Sequence, residues 1–300
     1  MKKPIYIFML LFVITESCSQ EAKQKYVLEE VSTAPQLNVA DLVAEVHEII
    51  HPLGTTIETR ILAPANFQRT VEKENSYPEY LRSLPLKPHG SEVMLFNGDF
   101  KPNYDTYDAV IDMEVGNKDL HQCADAVMRL RAEYLWNEER YDEIHFNFTN
   151  GFSVDYTKWI EGSRMVVKGN KTHWVNKSIP SKTYQDFWGY MELIFNYAGT
   201  LSLSKELIPV EIKDIKIGDV FIWGGSPGHA VLVIDMAKNP ATNEKFFLLA
   251  QSYMPAQEIQ LLQNPNNEKL SPWNSVSEIG DEIITPEWVF QTSDLKRVKK

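Results

Sequence analysis

The chain has 300 residues, a formal charge of −11, 43% hydrophobic content and 7 tryptophans. Apart from Lys2-Lys3, its lysine-arginine clusters are the terminal Lys296-Arg297 and Lys299-Lys300, so it lacks the basic surface that phosphate binding needs, which argues against nucleic acid as a partner. No Pro/Gly/Ser-rich linker, low-complexity tract or internal repeat interrupts it, which predicts one domain with elaborations over residues 36–300.

The first residues read as a targeting segment. Met-Lys-Lys is followed by an apolar run from Pro4 to Ile14, too short for a helix to span a bilayer core of about 30 Å, and then by Thr15-Glu-Ser-Cys18. This predicts a signal peptide over 1–17, lipidation of Cys18, and a polar tether over 18–35 holding an exported domain in the cell envelope. With Cys18 lipidated, Cys123 is a lone thiol without an intrachain disulfide partner.

Apolar spacing predicts a helix over Leu37–His51, stopped by Pro52. Thr55–Leu62 alternates and is threonine-rich, a strand. Ser76 caps a short helix through Leu84, with Pro78 in its first turn. Glu92–Phe96 and Ala109–Val115 read as strands, followed by a helix reaching Leu135 with Asp119 as its cap. Ile144, Phe146 and Phe148 alternate with polar residues as a half-buried strand, with Ser163–Lys168 as its expected neighbour. Ser181–Leu203 is predicted as one long helix. Strands follow over Ile217–Trp223, His229–Met236 and Phe246–Tyr253, with a last strand around Ile283-Ile284 and Trp288–Phe290. Helices first and an antiparallel strand set afterwards give an α+β fold.

Cys123 is the first candidate for chemistry. At about 100° per residue, Leu120, Cys123, Ala124, Val127, Tyr134 and Leu135 share one face of the helix. A thiol in the first turn meets free amides and the positive end of the macrodipole, which lowers its pKa. A cysteine nucleophile needs a base, and His229 opens a strand after the small residues Gly224–Gly228, which should leave space around its ring. A third residue orients the imidazole. Asp235 is six positions further along the same strand, roughly 20 Å away. A turn centred on Pro240 would set Gln251 opposite His229 on the same face, so Gln251 is the choice.

The Cys123 backbone N–H and the Asn117 side chain, in preference to Gln122, are expected to hold the oxyanion. Trp223 is a candidate for stacking a sugar or lining a peptide groove. His121 is expected at the surface or facing substrate, and Arg131 on the apolar face of the helix with a buried carboxylate partner. Gly224-Gly-Ser226-Pro-Gly228 matches the serine nucleophile elbow, but Pro227 has no N–H for an oxyanion hole, and the loop enters a strand instead of a helix. It reads as a turn. The scattered histidines, without HExxH or paired Cys/His spacing, predict no metal, and nothing calls for a cofactor.

The segments Asp119-Leu-His-Gln-Cys-Ala-Asp-Ala-Val-Met-Arg-Leu-Arg-Ala-Glu-Tyr-Leu135, Gly218-Asp-Val-Phe-Ile, Pro227-Gly-His-Ala230 and Ala250-Gln-Ser-Tyr-Met-Pro-Ala-Gln257 resemble a bacterial lipoprotein family known as domain-of-unknown-function family 4846. More distantly, a helix-borne cysteine, a Gly-Asp strand, a Gly-His strand and a polar residue look like the papain-like superfamily, in particular the NlpC/P60 and CHAP amidases and endopeptidases. That resemblance implies a papain-like α+β domain and a Cys123-His229-Gln251 hydrolase acting on amide bonds of cell-wall peptides. The other reading is an envelope lipoprotein that binds glycan or protein on the same scaffold. The Cys-to-His interval is longer here than in those families, filled by Ile144–Leu203.

Overall fold

The computed structural model describes residues 48–299. The predicted signal peptide and tether, with Cys18, lie outside the described residues, as does most of the expected Leu37–His51 helix. The end of that segment, Glu48–His51, is not helical; Ile50 bridges Ile61 instead.

The threonine-rich segment expected as a strand is a short helix, α1 (Ile57–Arg60). Its threonines serve as caps: Thr56 Oγ1 accepts from the Thr59 amide at 3.2 Å and Thr59 Oγ1 from the Thr56 amide at 3.0 Å, satisfying donors that a helix start leaves free. β1 (Gln68–Arg69) follows, then α2 (Tyr77–Arg82), capped by Ser76 as expected. Glu92–Phe96 forms only isolated bridges, and the next strand, β2 (Tyr107–Val110), begins before its predicted position and stops short.

The central helix α3 (Cys123–Asn137) starts later than the sequence implied, with Gln122 and not Asp119 at its N-cap. Asp119 instead accepts from Gln122 Nε2 at 3.0 Å and from the Ala256 amide at 2.7 Å, tying the helix start to a distant loop. Its buried arginine is Arg129, not the half-buried Arg131: Arg129 pairs with Glu133 at 3.3 Å and lies over the Trp188 ring at 4.6 Å.

β3 (His145–Asn147) pairs with β4 (Ser153–Asp155), followed by α4 (Tyr156–Ile160). β5 (Ser163–Lys168) has its predicted span but a different partner. It folds back on β6 (Lys171–Asn176) through Gly169, whose φ of +59° suits glycine in a tight hairpin turn. The predicted long helix is two, α5 (Tyr184–Tyr197) and α6 (Thr200–Glu206), because the backbone is extended at Ala198 and Gly199. The remaining strands are β7 (Leu207–Pro209), β8 (Val220–Trp223), β9 (His229–Lys238), β10 (Lys245–Gln251), β11 (Gln260–Leu262), β12 (Asn274–Ser275), β13 (Glu282–Ile284), β14 (Val289–Gln291) and β15 (Leu295–Val298).

Antiparallel pairings join β2-β11-β10-β9-β8-β15-β7 in that order, with β1 against β9 and β12 against β10. The fold is therefore α+β on a largely antiparallel sheet. β13 and β14 make their own hairpin, and the closing strand is β15, which the sequence reading missed. α2 and α3 pack on β9, whose apolar run Ala230–Ile234 is fully buried. At the far end of that strand Asp235 is fully buried between Arg69, at 2.7 Å, and Arg82, also at 2.7 Å. Asp235 thus joins α2 and β1 to the sheet and has no part near His229.

Deleting one partner of a buried ion pair leaves the others desolvated and unpaired. Asp235→Ala should lower the unfolding free energy by about 3–5 kcal/mol, measured by urea denaturation. A loss below about 1 kcal/mol would show that the two arginines find other partners.

Candidate active site

Two stretches of backbone place the site. Cys123 is the first residue of α3, and His229 is the first residue of β9. His229 stands directly across from Trp223 of β8, so the two side chains leave the sheet on one face, and Trp223 is 51% exposed beside the buried imidazole.

The third residue arrives by a register that the sequence reading missed. Near the turn, Lys245 pairs with Lys238 and Leu248 with Asp235. Carried on unchanged, that register would set Gln251 against Leu232, with its side chain on the face opposite His229. A β-bulge intervenes: Leu249 pairs with Val233 and Ala250 with Leu232, which carries Gln251 to Val231. Gln251 is therefore diagonal to His229, not opposite it as expected, but on the same face and within reach. Gln251 Oε1 accepts from His229 Nε2 at 2.7 Å.

The contact continues beyond Gln251. Gln251 Nε2 donates to Glu287 Oε2 at 2.6 Å, and Lys101 Nζ holds the same carboxylate at 2.5 Å. Glu287 lies in the turn between β13 and β14, next to Trp288, whose ring is 5.4 Å from that of His229. Phe290 stacks on the imidazole at 5.8 Å, and Tyr253 meets it edge-on at 4.9 Å. Glu287, Lys101, Tyr253 and Trp288 were not singled out in the sequence. They carry no motif, and only the tertiary fold brings them together.

The glycines before His229 do not clear space around its ring. A Cβ on Gly228 would lie 2.4 Å from Thr200 Oγ1, and one on Gly224 2.1 Å from Ser204 Oγ. Their absent side chains let the loop seat on α6, where Thr200 Oγ1 donates to the Gly225 carbonyl at 3.2 Å. Ser226 is exposed in this loop, which leads into β9, so the elbow-like motif is a turn. Asp219, the acid of the Gly-Asp segment, is structural, paired with Arg297 of β15 at 2.6 Å.

The other candidates lie elsewhere. Asn117 is exposed on the wall of a 560 Å³ cavity shared with Lys87, Met94, Trp188 and Glu258, a cavity that neither Cys123 nor His229 lines. His121, expected at the surface, is buried, its Nδ1 3.3 Å from the Gln257 carbonyl and its ring edge-on to Phe195. Cys18 lies outside the described residues. Among the described residues, no three His, Cys, Asp or Glu side chains are grouped to hold a metal ion.

Electrostatics overturn the expected low thiol pKa. Burial raises the Cys123 pKa to about 11, helped by the Asp125 carboxylate, while the amides of Ala124, Ala230 and Cys123 itself pull back only part of the way. Burial pushes His229 down to about 4; the Gln251 bond opposes this and the Lys101 charge adds to it. Desolvation outweighs the helix terminus, so the resting site holds a neutral thiol and a neutral imidazole. No hydrogen bond joins the two among the described residues.

The family model described as Domain of unknown function (4846) matches residues 57–297. The chain belongs to this family. No curated protein and no solved structure matches it. The family span contains every component of the site, from Lys101 through Cys123, His229 and Gln251 to Glu287.

The thiolate is the species that alkylates. With the Cys123 pKa about 11, iodoacetamide should react slowly at pH 7, and its rate should climb about tenfold per pH unit to beyond pH 10. A plateau reached by pH 8 would instead reveal a resting thiolate-imidazolium pair.

Proposed function

We propose that this chain is an exported, lipid-anchored cysteine hydrolase or acyl transferase acting on amide bonds of cell-wall peptides or related envelope substrates. The observation that carries the proposal is the 2.7 Å contact of Gln251 with His229 Nε2, which leaves the other ring nitrogen, Nδ1, for proton transfer. The helix-borne Cys123, the Gly218-Asp219 and Gly228-His229 segments that lead into β8 and β9, and Gln251 resemble the papain-like NlpC/P60 and CHAP enzymes in their order along the chain. The observed α+β sheet is compatible with such a domain. Export and anchoring rest on the basic start, apolar run and Cys18.

A neutral pair defines the chemistry. Nδ1 takes the thiol proton as the sulfur bonds to the carbonyl carbon, and the charge that develops on the carbonyl oxygen lies near the amides of the α3 terminus. The C–N bond breaks as Nδ1 returns that proton to the leaving amine, giving a thioester. Water then attacks the thioester, Nδ1 taking its proton, and the sulfur leaves and is reprotonated. An acceptor amine in place of water makes the same step an acyl transfer. Trp223, exposed beside His229, offers a flat apolar surface to the substrate.

In assays of the mature chain on muropeptides and peptide amides, His229→Ala should slow turnover by about 10²- to 10⁴-fold, and Cys123→Ala should abolish it. The rate should fall as pH drops through about 4, where His229 takes up a proton and ceases to be a base. Turnover that survives Cys123→Ala would rule out the nucleophile.

The second reading, a non-catalytic glycan or protein binder, draws on the buried protonated thiol and the exposed Trp223. It requires binding to survive Cys123→Ala but not Trp223→Ala, with no thioester detected by mass spectrometry.

A further inference from the structure

A glutamine amide next to a histidine does not by itself decide where the ring proton sits. Turning the amide over exchanges an acceptor for a donor at nearly the same point, so Gln251 alone would serve either neutral tautomer of His229. The groups behind it lack that freedom. Lys101 is buried, and its ammonium can only donate; it holds Glu287 at 2.5 Å and also lies 5.7 Å from the Tyr253 ring. With the Gln260 amide oriented to satisfy its neighbours, its oxygen accepts from Lys101 at 2.9 Å.

The carboxylate that Lys101 holds can only accept. The Gln251 atom 2.6 Å from Glu287 Oε2 must therefore be the NH₂ group. That turns Oε1 toward the imidazole at 2.7 Å, and because a carbonyl oxygen can only accept, the facing ring nitrogen must carry a hydrogen. Reversing the amide would press its oxygen against the carboxylate and lose the Glu287 bond even if the ring changed tautomer, a loss that low polarity makes costly.

We infer that Glu287, clamped by Lys101, is the positioning residue that sets the tautomer of His229: its carboxylate orients the Gln251 amide, which keeps hydrogen on Nε2 and leaves Nδ1 as the base. This rests on the cysteine-hydrolase reading for its catalytic meaning, though the tautomer is a property of the protein alone. The turn between β13 and β14 supplies both the carboxylate and the neighbouring Trp288 ring, so one segment orients the amide and covers the imidazole.

Long-range ¹H–¹⁵N spectra of the ¹⁵N-histidine-labelled mature chain at pH 7, with the His229 signal identified by its loss in His229→Ala, test this directly. The wild-type ring should be the Nε2–H form. In Glu287→Gln the new amide can donate as well as accept, so the Nδ1–H form should appear. Thiol-dependent turnover should fall about tenfold or more, towards the roughly 10⁴-fold limit of a fully inverted tautomer. Lys101→Arg, which keeps a donor-only cation, should retain the Nε2–H form.

A wild-type ring in the Nδ1–H form, or a Glu287→Gln ring wholly in the Nε2–H form, would overturn the inference. The wild-type spectrum needs no substrate, and the His229→Ala variant serves it only for assignment. A ring that answers to Glu287 in a chain without thiol-dependent turnover would reject the hydrolase reading and leave the tautomer control standing.

Discussion

The pairing of β9 with β10 is the constraint on which the site depends. Side chains alternate across a strand, so a slip of one residue exchanges the two faces of the sheet. The register set at the Lys238-Lys245 end would point Gln251 away from His229, and the shift between Leu248 and Leu249 corrects it. Asp235 forms the last pair before that shift, and its two buried arginine contacts hold the strand there. The ion pairs and the His229-Gln251 contact are thus linked along one strand, with the bulge between them.

Burial then decides the electrostatics. The start of α3 offers amides and dipole to Cys123, which would suit a thiolate in open solvent. The buried setting penalises the charged forms of thiol and imidazole alike, raising the first and lowering the second. Such a site begins neutral, and the proposed reaction would separate charge in it only as bonds change, with the amides of the α3 terminus facing the developing oxyanion. A protonated thiol is also the less reactive form towards oxidants.

Where local pattern and final structure disagree, other demands on the same side chains explain it. Thr55–Leu62 has strand propensity, but Thr56 and Thr59 bond to each other's amides and start a turn of helix. Ser181–Leu203 has continuous apolar spacing, but the extended backbone at Ala198-Gly199 separates α5 from α6. The glycines before His229 read as room for chemistry and proved to be close contacts with Thr200 and Ser204. Asn117, chosen for its place in the chain, is drawn to another cavity because the chain turns between it and α3.

Sequence alone determined that β8, β9 and β10 are strands, that a helix follows residue 120 with Cys123 near its start, and that His229 and Gln251 are the polar residues worth pairing. These follow from local periodicity, turn residues and the chemistry of single side chains. Only the tertiary structure decided the register that puts Gln251 on the imidazole face, the burial that makes thiol and ring neutral, and the arrival of Glu287, Trp288 and Lys101 behind them. Register depends on a bulge, desolvation on everything packed around a group, and the Gln251-Glu287 contact on residues 36 apart in the chain. None of the three is a property of a short stretch of residues, which is why no local pattern could contain them.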